Sequence, residues 1–296
     1  MKSGILPICK PEGISSARVV HLVKKFSEAK KAGHMGTLDP FATGLLLCGI
    51  NQGTRISKFF LNGSKRYEAK ICLGIETDTF DCTGTVLQQK ESLDNISKEQ
   101  IIDIVIGFNG KQKQVPPAFS ALKHNGKPLY KYAREGQAIL KPARDIEIFE
   151  ITMGKIELPF IYIDVLCSAG TYIRTIAHDI GKKLGCGANL AALLRTETCG
   201  FYLKDSVELS SLEKMDIAEI DKKILPLAQA LSFMPAHIAD VNLENKIRFG
   251  QKIEFDDGLP EGDGFLRILT KTEELAAIVE YDKINSKFNY CCVFLN

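Results

Sequence analysis

Gly33-His34-Met35-Gly36-Thr37-Leu38-Asp39-Pro40-Phe41-Ala42-Thr43-Gly44 is a glycine-rich segment held between apolar stretches. Lys30 to Thr43 reads as a loop, and Gly44 to Ile50, an unbroken apolar run, reads as a buried strand. Upstream, Ser15 and Ser16 stand ahead of Ala17 to Phe26, where Val19, Val20, Leu22, Val23 and Phe26 recur at helical spacing behind a cap. Asp39 therefore sits on a loop leading into the core. A single Asp before Pro is ordinarily a turn residue whose side chain bonds nearby amides. The rigid setting, and glycines that let a backbone or a ligand approach closely, admit a second reading, in which the carboxylate is presented to a ligand.

Further along, Tyr67 to Leu73 and Phe160 to Leu166 read as strands, the second alternating Ile161, Ile163 and Val165 against Tyr162, Asp164 and Leu166. Ser97 and Gln100 form a capping box ahead of a helix through Ile101, Ile102, Ile104, Val105 and Phe108. Thr171 to Leu184, closed by Gly185, reads as another helix with a glycine at its C-terminal end. Strands and helices are mixed with no regular βαβ rhythm, so the expected fold class is α+β with a mixed sheet. A boundary at Phe233-Met234-Pro235 divides residues 1–235, one large domain, from 236–296, a small module.

With 296 residues, 45% hydrophobic and 25% charged, the chain has an ordinary globular composition, and a net charge of +2 says nothing by itself about nucleic acid. Distribution says more. From Lys111 to Arg144 there are eight basic residues against one acid, Glu135, and Phe119, Tyr130 and Tyr132 are interleaved with them. That composition suits a surface that neutralises phosphates and offers rings for stacking, with Lys123, Lys127, Lys131 and Arg134 as backbone contacts. The alternative is a solvated amphipathic helix over Pro128 to Glu135 whose rings face the core. Residues 236–296 reverse the balance, with seven basic and eleven acidic.

Nine cysteines, an odd number with no C-x-x-C spacing, read as reduced thiols rather than a zinc site or a redox pair. No dinucleotide fingerprint and no phosphate-binding Gly-Lys-Ser/Thr is present, so neither cofactor nor metal is expected. The N-terminal residues lack the pattern of a signal peptide and no apolar run reaches the ~18 residues of a membrane span, so a soluble, cytoplasmic protein is expected.

The string Gly33 to Gly44, extended through Leu45 and Leu46, closely resembles the catalytic motif of the TruB family of pseudouridine synthases, in which the aspartate is essential. Three more segments resemble that family in order: Lys65-Arg66-Tyr67-Glu68-Ala69 with Gly74 to Asp81; Val115-Pro116-Pro117-Ala118-Phe119-Ser120-Ala121-Leu122-Lys123; and Ser168 to Gly181. The resemblance implies Asp39 as the catalytic carboxylate, Tyr67 stacked on the target base, and Tyr172 lining the pocket. It further implies Arg174 paired with Asp39, Leu193 touching the base and His34 supporting flipped RNA. Each has a plainer reading: a half-buried strand tyrosine for Tyr67, a surface cation for Arg174, a core leucine for Leu193 and a backbone-bonded loop histidine for His34.

Also implied are a mixed-sheet pseudouridine-synthase domain, a small C-terminal PUA-like module, and isomerisation of the uridine at position 55 in the T-loop of tRNA. That reaction needs no added group or electrons. The sequence departs from the family in its acidic C-terminal segment and at Asn189, where many members have histidine. The T stem-loop of tRNA is the expected partner, and a monomer with no obligatory protein partner is expected. Two rival readings are an RNA-guided synthase acting in a larger assembly and a non-catalytic protein that binds and folds tRNA.

Overall fold

A computed structural model describes residues 2–253, 264–284 and 287–295. Its first strand, β1 (Gly4–Lys10), leads into helix α1 (Ser16–Phe26), capped as expected by the Ser15 hydroxyl, which accepts from the Arg18 amide at 3.2 Å. After β2 (Ala32–His34) come β3 (Thr43–Ile50) and β4 (Lys65–Leu73). Helix α2 (Lys98–Ile106) carries the expected capping box between Ser97 and Gln100. Then follow β5 (Gly110–Gln114), the short helix α3 (Leu129–Arg134), β6 (Arg144–Glu157), β7 (Phe160–Cys167), helix α4 (Ile173–Lys183) and β8 (Ala188–Thr198).

One large sheet runs β1-β3-β8-β4-β7-β6-β5. Its β8–β3 pair is parallel and every other pair in that run is antiparallel, giving the mixed sheet of an α+β protein. The odd residues of β4 and β7 (Tyr67, Ala69, Ile71; Ile161, Ile163, Val165) are buried in one core with residues of α2 and α4. Val19 and Val23 of α1 are fully buried in a second core with Leu6, Ile8, Leu46 and Cys48 of β1 and β3. Burial of about 1.5–3 kcal/mol per large aliphatic side chain, rather than local propensity, holds these helices on the sheet.

Two expectations need adjustment. The stretch expected as loop contains β2, because part of one edge of β3 is left open by β8: β8 covers Thr43 and Gly44, and Ala32 to His34 cover Cys48 to Ile50. The helix expected from Thr171 starts at Ile173. Tyr172 is extended (φ −98, ψ 109), and its amide and carbonyl are taken by the Gln114 side chain at 2.8 and 3.0 Å.

Residues after Pro235 form a four-stranded sheet, β9 (Ala236–Ile238), β10 (Phe265–Leu269), β11 (Leu275–Asp282) and β12 (Lys287–Val293), with helix α5 (Val241–Arg248). These residues occupy the stretch where the sequence reading places the small module. It has its own core around Leu243, Ile247, Leu266 and Ile268, and Leu269, Leu275 and Ile278 share a cluster with Ile5, Leu47 and Phe60 of the body. Glu254, Asp256, Asp257, Glu261 and Asp263, counted above in its acidic balance, lie outside the described residues.

Candidate active site

The loop between β2 and β3 is fixed on both sides of Asp39. Met35, Leu38, Phe41 and Ala42 are buried. The Ser16 hydroxyl donates to the Leu38 carbonyl and accepts from its amide, both at 2.9 Å. Lys10, fully buried at the end of β1, donates to the carbonyls of Pro40 (3.1 Å), Ala42 (2.6 Å) and Pro11 (2.9 Å). Arg195 of β8 donates to Gly36 (3.2 Å), Thr37 (3.5 Å) and Leu45 (2.7 Å). Gly44 has φ +100, and a Cβ there would lie 2.4 Å from the Arg195 carbonyl, so only glycine allows β3 and β8 to meet here.

Arg174, in the first turn of α4 and 3% exposed, faces Asp39, with Nε 2.9 Å from Oδ2. The N–H is not aligned on that oxygen, so the contact is an ion pair rather than a directed hydrogen bond. Nη1 lies 3.4 Å from Oδ2 of Asp81 and donates to the Thr79 carbonyl at 3.0 Å, while Nη2 donates to the Phe119 carbonyl at 2.9 Å. Asp81 is 4% exposed, and its Oδ1 accepts from the Thr79 hydroxyl (2.8 Å) and from the Thr83 amide (3.0 Å) and hydroxyl (2.6 Å). The guanidinium is thus held in one orientation by two carboxylates and two carbonyls, a task that arginine's rigid fork suits and lysine's point charge does not.

Asp39 opens onto a cavity of ≈ 370 Å³, within the ~300–1,000 Å³ range of small-molecule sites. Tyr67, Tyr172, Arg174 and Leu193 line the same cavity, so five of the expected residues meet in one place. A larger cavity of ≈ 500 Å³ lies over the even-numbered face of β4 and β7, at Glu68, Lys70, Tyr162 and Asp164, and Leu193 is the one expected residue it shares.

Burial raises the pKa of Asp39 above its ordinary value; Arg174 opposes this most strongly, Asp81 adds to it and Lys10 opposes it. Arg174 therefore acts as expected on the charged form, though the net shift remains upward. Burial lowers the Lys10 pKa to about 8, against the pull of Asp39. Burial likewise raises the Tyr67 hydroxyl.

Tyr172 is half-buried in the cavity lining, with the Arg144 guanidinium 4.9 Å from its ring centre. His34 ends β2 opposite Cys48 and is not among the residues lining the cavity. Its Nδ1 is buried with no hydrogen-bond partner among the described residues, and burial followed by Arg195 lowers its pKa.

In the basic segment the helix of the alternative reading forms as α3, with Leu129 fully buried. Its tyrosines are half-buried and meet the segment's own cations: Lys127 lies 4.5 Å from the Tyr132 ring centre and Arg134 5.6 Å from that of Tyr130. Lys127 also pairs with Glu135 at 2.5 Å. Lys123, Lys131 and Arg134 are exposed.

Sequence reasoning gave no role to Lys10, Asp81 or Arg195. A signal existed for each: a lysine closing the apolar run Ile5 to Cys9, an aspartate set among Thr77, Thr79 and Thr83, and an arginine two residues after Leu193.

Fold and site together place one cavity-lining carboxylate, Asp39, against a buried arginine, beside a pocket of a mixed sheet large enough for a small group. Residues 24–173 match the TruB family pseudouridylate synthase N-terminal domain, and residues 174–232 the tRNA pseudouridylate synthase B C-terminal domain. The tRNA pseudouridine synthase B of Haemophilus influenzae (strain ATCC 51907 / DSM 11121 / KW20 / Rd) is 41% identical over 256 residues, 85% of this chain and 81% of that protein. That of Thermotoga petrophila is 39% identical over 293 residues, 97% of this chain and 93% of that protein. Among solved structures, a Cbf5-Nop10-Gar1 complex contains a chain of the same fold (TM-score 0.71, 24% identity), matched over 99% of this chain and 84% of that one. The chain belongs to the TruB family of pseudouridylate synthases.

Proposed function

We infer that this chain isomerises uridine to pseudouridine in tRNA, at position 55 of the T-loop, with Asp39 as the catalytic carboxylate. The observation that carries the reading is the Asp39–Arg174 pair, backed by Asp81, at the floor of a cavity lined by Tyr67, Tyr172 and Leu193. A uridine stacked within folded RNA cannot reach such a floor, so the nucleotide is turned out into the cavity. There Tyr67 stacks on the base and Leu193 and Tyr172 pack around it. Asp39 either bonds to C1′ or removes the 2′ hydrogen, and Arg174 keeps it ionised and aimed. His34, outside the cavity, is assigned to the RNA that the flipped base leaves behind.

Residues 1–235 form the catalytic domain and 236–296 an accessory RNA-binding module in this reading. The protein acts as a monomer in the cytoplasm without an obligatory partner. Among the described residues no helix is long and apolar enough to cross a membrane. An unmodified tRNA transcript given only the purified protein is expected to be converted in full. Conversion that requires a guide RNA or added proteins would favour the RNA-guided alternative, and binding without conversion the tRNA-folding one.

Lys123, Lys127, Lys131 and Arg134 supply phosphate contacts, supported by the exposure of three of them and by their clustering around α3. Replacing Lys127, Lys131 and Arg134 together by alanine should lower the slope of log affinity against log salt by about two to three. Filter binding across salt concentrations measures it, and an unchanged slope would remove the segment from the phosphate interface.

A further inference from the structure

Two cations line the cavity with, among the described residues, no carboxylate in ion-pairing contact. Lys65, at the start of β4, and Arg195, in β8, are 7% and 1% exposed, and both line the cavity. Strand alternation puts Lys65 on the Tyr67 face of β4 and Arg195 on the Leu193 face of β8, and Arg195 is the register partner of Tyr67. Lys65 donates to the carbonyls of Gly63 (2.5 Å) and Leu61 (3.2 Å). Arg195 donates to the three loop carbonyls described above. Among the described residues, no carboxylate lies within ion-pairing distance of either cation.

Carbonyl dipoles offset only part of the cost of burying a full charge, and two such charges beside one another raise that cost. A clamp for the loop accounts for Arg195 alone. It does not account for Lys65, whose own partners are the Leu61 and Gly63 carbonyls and which lines the cavity as well. An uncompensated cation pair against a cavity is the arrangement that favours a ligand acquiring negative charge there.

We propose that Lys65 and Arg195 form an electropositive wall that stabilises the negative charge on the uracil ring once it is detached from the ribose. The proposal rests on the uridine-isomerising reading above. Breaking C1′–N1 leaves the bonding pair on the base, spread over N1, O2 and O4. The deficiency at C1′ is met by Asp39, by bonding to it or by taking the 2′ hydrogen. After the base turns, C5 bonds to C1′ while Asp39 departs or returns the hydrogen. C5 then loses its proton and N1 gains one, so substrate and product are isomers of equal charge. The base itself is anionic only at the detached stage, so a positive wall beside it lowers the barrier without tightening the binding of the neutral base.

The test compares Lys65→Met, Arg195→Gln and Arg195→Lys in the full chain, using tRNA with uridine or 5-fluorouridine at the target. Fluorine withdraws electrons and stabilises the base anion unaided. Loss of the N-linked nucleoside is followed in single turnover. Lys65→Met and Arg195→Gln should each slow the uridine reaction about tenfold or more. Their effect on 5-fluorouridine should be at least about threefold smaller, and Arg195→Lys should recover much of the loss. A folding or positioning defect would slow both substrates by one factor, so equal factors overturn the proposal, as does an unchanged uridine rate. An unmutated protein inactive on uridine tRNA would instead overturn the reading on which the proposal rests.

Discussion

Asp39→Asn is expected to leave tRNA affinity within about twofold of the parent protein and to slow pseudouridine formation by about 10⁴-fold or more. Asparagine keeps the shape of the side chain and removes the charge that reaction at the sugar requires. The loop itself should not move, because its anchors are elsewhere: the Ser16 hydroxyl on Leu38, Lys10 on Pro40 and Ala42, and Arg195 on Gly36 and Thr37. Arg174 also keeps its other partners, Asp81 and the Thr79 and Phe119 carbonyls. Single-turnover rates beside filter binding separate the two effects. A variant that still forms pseudouridine at a tenth of the parent rate would take Asp39 out of the chemistry.

Arg174→Met should damage stability and rate together. It leaves Asp81, 4% exposed, without its counter-charge, and breaking a buried pair from one side costs about 3–5 kcal/mol. Urea unfolding reads that loss. Activity should fall at least about a hundredfold, because Asp39 loses the group that orients it. The pH dependence gives a sign that instability alone cannot imitate. Asp39 already ionises above the ordinary carboxylate value, and Arg174 is the strongest influence holding it down. Removing the guanidinium raises the pKa further, so less of the carboxylate is ionised at a given pH and the acid limb of the residual rate moves to higher pH. A limb that stays in place, or moves lower, would contradict the assigned coupling.

The helices were legible because their ends are chemical: Ser15 caps α1 and the Ser97–Gln100 box opens α2. The start of α4 was misread by two residues because Gln114, 58 positions away in sequence, occupies the Tyr172 backbone. No local pattern carries that information. The site was legible through the ordered motifs, which named Asp39, Tyr67, Tyr172, Arg174 and Leu193, and these five share a cavity. What holds them was not. Lys10 is on β1 and Arg195 on β8, and their contacts with the loop exist only once β1, β3 and β8 are side by side. Asp81 needs the turn at Phe80, which has φ 63, before its carboxylate faces Arg174. The basic segment was half legible. Its composition predicted cations with interleaved rings, but not that the rings would be occupied by Lys127 and Arg134 themselves.

The most direct measurement is site-resolved pseudouridine mapping of an unmodified tRNA transcript incubated with the pure protein, with Asp39→Asn run beside it. Pseudouridine at position 55 with the parent protein, and none with the variant, is the predicted result. A transcript left unmodified by the parent protein, or modified equally by both, would contradict the assignment of Asp39 as the residue that carries the reaction.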